Sequence, residues 1–141
     1  MILPDVNVLL YAWRADSAHH KLCSAWLTSV VNGPSAFGIS PQVLSSMLRI
    51  ATHPKIFAQP DRPGDVLRFS DALLAQPHCR ILHPGPRHWP IFRDLVDQTG
   101  ATGNLVPDAW FAALAIEHGC EWITADQDFA RFPGLRWRVL K

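Results

Sequence analysis

Two short apolar stretches near opposite ends of the chain each stop on an aspartate. Ile2-Leu3-Pro4 run into Asp5, and Trp122-Ile123-Thr124-Ala125 run into Asp126. Apolar runs this short are strands rather than helices, and continuous apolarity marks strands covered on both faces. Between them the chain alternates helical and strand patterns to its end. That alternation predicts an α/β sandwich with a mainly parallel sheet of about five strands.

The intervening segments carry ordinary punctuation. A helix over Val6–Trp13 is followed by cap chemistry at Asp16-Ser17 and a second helix over His19–Val31, stopped by Asn32-Gly33-Pro34. Ala36–Ile39 is a strand candidate. Ser40-Pro41 opens a helix with Ser as cap and Pro at the first position. It carries Val43, Leu44, Met47, Leu48 and Ile50 and ends near Thr52-His53-Pro54. After a proline-rich connector, Asp65–Ala75 predicts a helix, Arg80–His83 a strand and Trp89–Gln98 a helix. Val106–Gly119 predicts a helix with an acid, Asp108, in its first turn. A loop over Gln127–Gly134 leads to a last strand, Leu135–Leu140.

At 141 residues the chain is expected to form a single domain, residues 1–141. Its 48% hydrophobic content allows a sizeable core, and its 18% charged content is low enough to fit a homodimer or a bound partner. No apolar run is long enough to span a membrane, and no basic-then-apolar leader is present. Three scattered cysteines without CxxC spacing argue against a zinc site or disulfide framework. Cys23 and Cys120 suit buried positions, and a reducing cytoplasm is the expected compartment. The net charge of +1 neither requires nor forbids nucleic acid, and ten of the thirteen basic residues are Arg.

The acids carry the functional question. Each has a plain local role: Asp5 as a helix cap, Asp108 as a first-turn acid favoured by the helix dipole, Asp126 as an Asx-turn residue. Yet ligands of open α/β sheets gather at the carboxyl ends of strands. Three carboxylates gathered there repel one another, and a divalent cation removes that cost. Such an ion lowers the pKa of bound water and stabilises charge on a phosphoryl oxygen, which is what phosphodiester hydrolysis needs. The chain has no HExxH, GxSxG, GxGxxG or GxxxxGK[ST] pattern.

Four stretches in order, Leu3–Ala12, Val43–Pro54, Val106–Ala109 and Ile123–Phe129, resemble the PIN-domain ribonucleases, in particular the VapC toxins of bacterial toxin–antitoxin pairs. The resemblance implies a PIN-like three-layer α/β/α fold. It implies Mg²⁺-dependent endoribonuclease activity, with Mn²⁺ as a substitute, on structured RNA such as tRNA or rRNA. It also implies a VapB-type antitoxin and a homodimer. Asp5, Asp108 and Asp126 would be the catalytic acids, with Asp5 and Asp108 on the metal. Asn7, Ser46, Thr124 and Asp128 would orient carboxylates or water, although Asp128 equally suits a turn acid.

One position departs from the pattern. The family usually carries an acid, most often Glu, where this chain has Ser46. Weaker metal binding is expected, with one tightly held ion at most. Glu117 lies about two and a half helical turns beyond Asp108, too far to share an ion, and is expected on the surface. Arg14, Arg49, His53 and Lys55 are candidate phosphate contacts, and Trp13 a candidate base-stacking residue. Two alternatives stand beside the nuclease: a catalytically weakened PIN fold acting as an RNA- or protein-binding module, and a phosphohydrolase using Asp5 as nucleophile. The second usually has an Asp two residues on, where this chain has Asn7.

Overall fold

The computed structural model describes residues 1–141. Strand β1 (Ile2–Pro4) lies at the centre of a five-stranded sheet of order β3-β2-β1-β4-β5. Its partners are β2 (Phe37–Ile39), β3 (Cys79–Ile81), β4 (Glu121–Thr124) and β5 (Trp137–Val139), and every pairing is parallel. The observed sheet thus matches the expected five parallel strands.

Parallel pairing requires crossovers, and the helices provide them. Helices α1 (Val6–Trp13) and α2 (His20–Val31) connect β1 to β2, and α3 (Pro41–Ala51) and α4 (Pro63–Leu74) connect β2 to β3. Helices α5 (His88–Thr99) and α6 (Leu105–Glu117) then carry the chain back across the sheet to β4. Because such crossovers are right-handed, reversing direction sends α5 and α6 to the opposite face from α1–α4. The result is a three-layer α/β/α sandwich. The reversal also makes a switch point beside β1, where the β1 and β4 connections diverge and a crevice opens at the carboxyl ends of the strands.

The core follows from the strand sequences. Leu3, Phe37, Ile39, Trp122 and Ile123 are essentially inaccessible to solvent. Phe111 stacks on Trp122, with ring centroids 5.6 Å apart. Pro4 stands in a central strand, where a missing N–H usually breaks a ladder. Asp5 N–H bonds Ile123 carbonyl toward β4 at 2.8 Å, so strand alternation turns Pro4 toward β2. Its pairing with β2 is registered at Ile2–Phe37, so the missing donor falls where that ladder has run out.

Helix ends account for most departures from expectation. α4 begins at Pro63 rather than Asp65, because Pro63 is itself a first-turn proline. α5 runs on to Thr99 and is closed by Gly100 at φ 66°. The segment after Asp126, expected as a loop, is a short 3-10 helix over Gln127–Arg131. Asp126 caps it by accepting from the Asp128 amide, and Phe129 is buried beneath. Cys23 and Cys120 are buried thiols, as expected. No helix is long and apolar enough to cross a membrane.

Candidate active site

The crevice at the switch point is a cavity of about 320 Å³ whose lining includes Asp5, Asn7, Ser46, Arg49, Asp108 and Asp126. Asp5 follows β1 directly and caps α1: its Oδ1 accepts from the Val6 amide at 2.6 Å. Its other oxygen accepts from the Thr124 hydroxyl at 2.6 Å, a bond wholly inside the protein. Thr124 Oγ1 in turn accepts from the Asp126 amide at 3.0 Å. One hydroxyl at the end of β4 therefore fixes both the Asp5 carboxylate and the turn that presents Asp126. Asn7 adds a second tie, its Oδ1 accepting from the Ala125 amide at 3.2 Å.

Asp108 comes from the other side, on the first turn of α6. Pro107 before it loses no helical bond there, since first-turn amides have no partner in the helix. Ser46 and Arg49 project from α3, one turn apart on the same face. Phe111 and Phe129 form the apolar floor.

This arrangement strains the charges of the acids. Burial, with a smaller repulsion from Asp108 and Asp126, pushes the Asp5 carboxyl up to about 7 against the pull of Thr124 and Val6. Burial and then the neighbouring Asp126 and Asp128 push Asp108 up to about 6, with Arg131 opposing. Asp5 therefore feels the charge of Asp108 and Asp126 across the crevice, and Asp108 that of Asp126. They do not form a ready-made cage: no group of three His, Cys, Asp or Glu side chains is arranged to hold an ion. Mg²⁺ needs none, because it is commonly held by one or two carboxylates and keeps several waters. One buried carboxylate, Asp5, and one half-buried, Asp108, both raised toward neutrality and lining one crevice, fit such an ion.

The remaining candidates lie elsewhere. Arg14 is removed from the phosphate contacts: it is 8% exposed and paired to Asp16 at 2.6 Å and Asp61 at 3.0 Å. Its guanidinium also lies 3.7 Å over the Phe57 ring. Arg14 thus fastens the proline-rich connector to the end of α1, and it has no free face for RNA. Trp13 does similar work, packing on Phe69 and donating to Asp61 at 3.0 Å. His53 and Lys55 follow the end of α3 outside the crevice lining, with His53 Nδ1 accepting from the Lys55 amide at 3.1 Å. Asp128 is an exposed carboxylate 3.7 Å from Arg131.

Glu117 corrects the expectation of surface exposure. It is 9% exposed, and its carboxylate accepts from the Gly85 amide at 2.7 Å and the Arg87 amide at 3.0 Å. A Cβ at position 85 would meet Glu117 Oε2 at 2.7 Å, so any side chain there would have to shift the carboxylate on these amides. Two crevice features escaped the sequence: Tyr11, which lines the cavity, and Arg131, whose charge reaches Asp108. The i, i+3 spacing of Asp128 and Arg131 was the available signal for the second.

Comparison with known proteins agrees with this geometry. The family model described as PIN domain matches residues 2–135. Ribonuclease VapC43 of Mycobacterium tuberculosis is 42% identical over 138 residues, covering 98% of this chain and 94% of that protein. Ribonuclease VapC25 of the same species is 40% identical over 136 residues, 96% of each chain. Among solved structures, VapBC2 from Rickettsia felis bound to a DNA fragment from its promoter superposes with a TM-score of 0.72 at 19% identity, covering both chains fully. Mycobacterium tuberculosis VapC20, described as a sarcin-ricin loop cleaving toxin, gives 0.64 at 17% identity over 96% of this chain and 99% of that one. With its parallel sheet, its acids at the switch point and relatives of this kind along nearly its whole length, the chain belongs to the PIN-domain family, among the VapC ribonucleases.

Proposed function

We propose that this chain is a divalent-metal-dependent endoribonuclease, the toxin half of a pair whose VapB-type antitoxin blocks the crevice. The observation that carries the proposal is the shared crevice of Asp5, Asp108 and Asp126, with the first two raised toward neutrality. Mg²⁺, or Mn²⁺ in its place, would be held by Asp5 and Asp108, where it supplies positive charge for a phosphoryl oxygen and makes water more acidic.

The chain's own groups do the rest. Thr124 holds the Asp5 carboxylate in one orientation. Asp126 uses one oxygen to cap the 3-10 helix, leaving the other to accept a proton from the attacking water. A bond forms from that water to phosphorus, the bond to the leaving ribose oxygen breaks, and the leaving oxygen takes up a proton from solvent, to which Asp126 gives back the one it accepted. Ser46 orients water rather than adding a charged ligand, and Arg49 at the rim takes a neighbouring phosphate. Structured RNA, with tRNA or rRNA first among candidates, is the proposed substrate, in keeping with the ribonuclease relatives. A homodimer working in the cytoplasm completes the proposal. The exposed apolar side chains Ile56, Leu67, Ile81 and Trp89 provide surface for protein contacts.

The test is cleavage of total RNA, read by sequencing new 5′ ends, with Mg²⁺ and with EDTA. Wild type should cut at a few sites, stop in EDTA and resume when Mg²⁺ is restored in excess. Cleavage that persists in EDTA would overturn the metal. Ser46 at the usual acid position favours one other reading, a catalytically weakened fold that binds RNA or protein; binding without new 5′ ends under any divalent ion would select it.

A further inference from the structure

Beside the acid crevice lies a second cavity of about 330 Å³, between α3 and α6. The two are continuous, since Ser46, Arg49, Pro107 and Phe111 line both. What the second adds is Gln42, Val106 and Trp110. Gln42 is exposed on the first turn of α3, one helical turn before Ser46. Gln42, Ser46 and Arg49 thus form one stripe along the helix, running from the annex to the acids.

Trp110 is half-buried and firmly held. The His88 ring packs on it at 4.4 Å, His88 Nε2 lies 2.9 Å from its carbonyl, and Phe111 meets its edge at 5.8 Å. The indole is therefore a fixed aromatic wall of a pocket that opens beside the acids. Arg49 stands at the junction, exposed, and the chain's ion pairs are made by other arginines.

We infer that this annex is a base subsite: it holds one unpaired nucleobase of the RNA next to the scissile phosphate, stacked on Trp110 and read by the Gln42 amide. The inference rests on the nuclease reading above for its substrate and names a specificity element of that same site. Sequence-specific RNA recognition works on splayed single-stranded bases, through stacking and hydrogen bonds to base edges. A glutamine amide presents a donor and an acceptor side by side; every base offers such a pair on its Watson–Crick edge, but adenine alone offers it on its Hoogsteen edge as well, through N6–H and N7. Adenine is therefore the expected occupant, with Arg49 on the phosphate that links it to the crevice. The stripe on α3 thus does two things along its length: its Ser46 end faces the acids, and its Gln42 end selects where they act.

The test is binding of single-stranded RNA hexamers, uridine throughout except for one position carrying A, C, G or U. Binding is measured by fluorescence anisotropy with Mg²⁺ in an Asp108→Asn background, which keeps the RNA intact. The adenine hexamer should bind roughly tenfold tighter than the others, in the range of one well-made base contact. Gln42→Ala should erase that preference while leaving the all-uridine hexamer unchanged. Trp110→Leu should weaken all four by roughly tenfold or more, as loss of a stacking wall does. Should Trp110→Leu fail to fold by circular dichroism, the exposed Gln42→Ala decides alone. Four hexamers within twofold of one another, or a preference that survives Gln42→Ala, would overturn the subsite. If wild type binds with the adenine preference yet never cuts, the nuclease reading fails while the subsite stands.

Discussion

Helix α6 carries an acid of a different kind near each end, and the contrast between them explains most of what this molecule does. At its end, Glu117 is as buried as Asp5 is in the crevice, 9% and 7% exposed. Burial pushes the Glu117 carboxyl up, but the Gly85 and Arg87 amides, with His118 and His88 nearby, outweigh it and hold it below the ordinary glutamate value. Burial pushes Asp5 up too, more strongly than its two hydrogen bonds pull it down, and Asp108 and Asp126 add a smaller repulsion. At its start α6 presents Asp108, raised for the same reasons. A buried acid whose charge is satisfied locally is a fastener. A buried acid left short of positive charge is a site for a cation.

The largest expected effect breaks the crevice side of this contrast. Asp5→Asn should lower RNA cleavage on the order of a hundredfold or more, since it removes a charge aimed at the reacting centre. In metal-free solution at pH 8 the same variant should melt at a higher temperature than wild type, because a strained carboxylate has gone. Loss of both activity and stability would make Asp5 structural. Next comes the fastener. Glu117→Ala removes the acceptor of two part-buried amides and should cost roughly 1–3 kcal/mol in urea unfolding. Cleavage below its melting temperature should stay within a few-fold of wild type.

The pH dependence sharpens the comparison, because the two acids have opposite signs. Asp5 at about 7 and Asp108 at about 6, both above the ordinary 3.8, hold protons in the folded chain that the unfolded chain releases. Their contribution is fully present below about pH 4 and is lost as pH rises through 6 and 7, on the order of a few kcal/mol. Glu117 acts the other way: its contribution is present above the ordinary glutamate value and is lost as pH falls through its depressed pKa. Metal-free thermal melts should therefore show stability falling from pH 5 to pH 8, and Mg²⁺ should recover much of that loss. The smallest effect concerns Ser46. Ser46→Glu should tighten Mn²⁺ binding roughly tenfold by calorimetry, since affinity follows the number of ligand charges. Unchanged affinity would mean that α3 stands too far from the ion.

Much of this arrangement was legible in the sequence. Ile2-Leu3-Pro4 and Trp122-Ile123-Thr124 announce buried parallel strands because a strand covered on both faces has no polar side to show. Asp5 and Asp126 stand out because each acid ends such a strand. Arg14 and Glu117 were misjudged for one shared reason. Whether a charged residue lies inside depends on a partner that may be far along the chain: Asp61 for Arg14, Gly85 and Arg87 for Glu117. Periodicity carries no record of such partners. The 3-10 helix after Asp126 was missed similarly, since burial of Phe129 rather than local propensity holds it.

The most direct measurement is a ¹³C NMR titration of the side-chain carboxyls of Asp5 and Glu117 in the same metal-free sample, repeated with saturating Mg²⁺. Asp5 should titrate near 7 without metal, and fall into the ordinary carboxylate range or below when Mg²⁺ is added. Glu117 should titrate below the ordinary glutamate value in both conditions. An Asp5 carboxyl that titrates near 4 without metal and does not respond to Mg²⁺ would contradict the account.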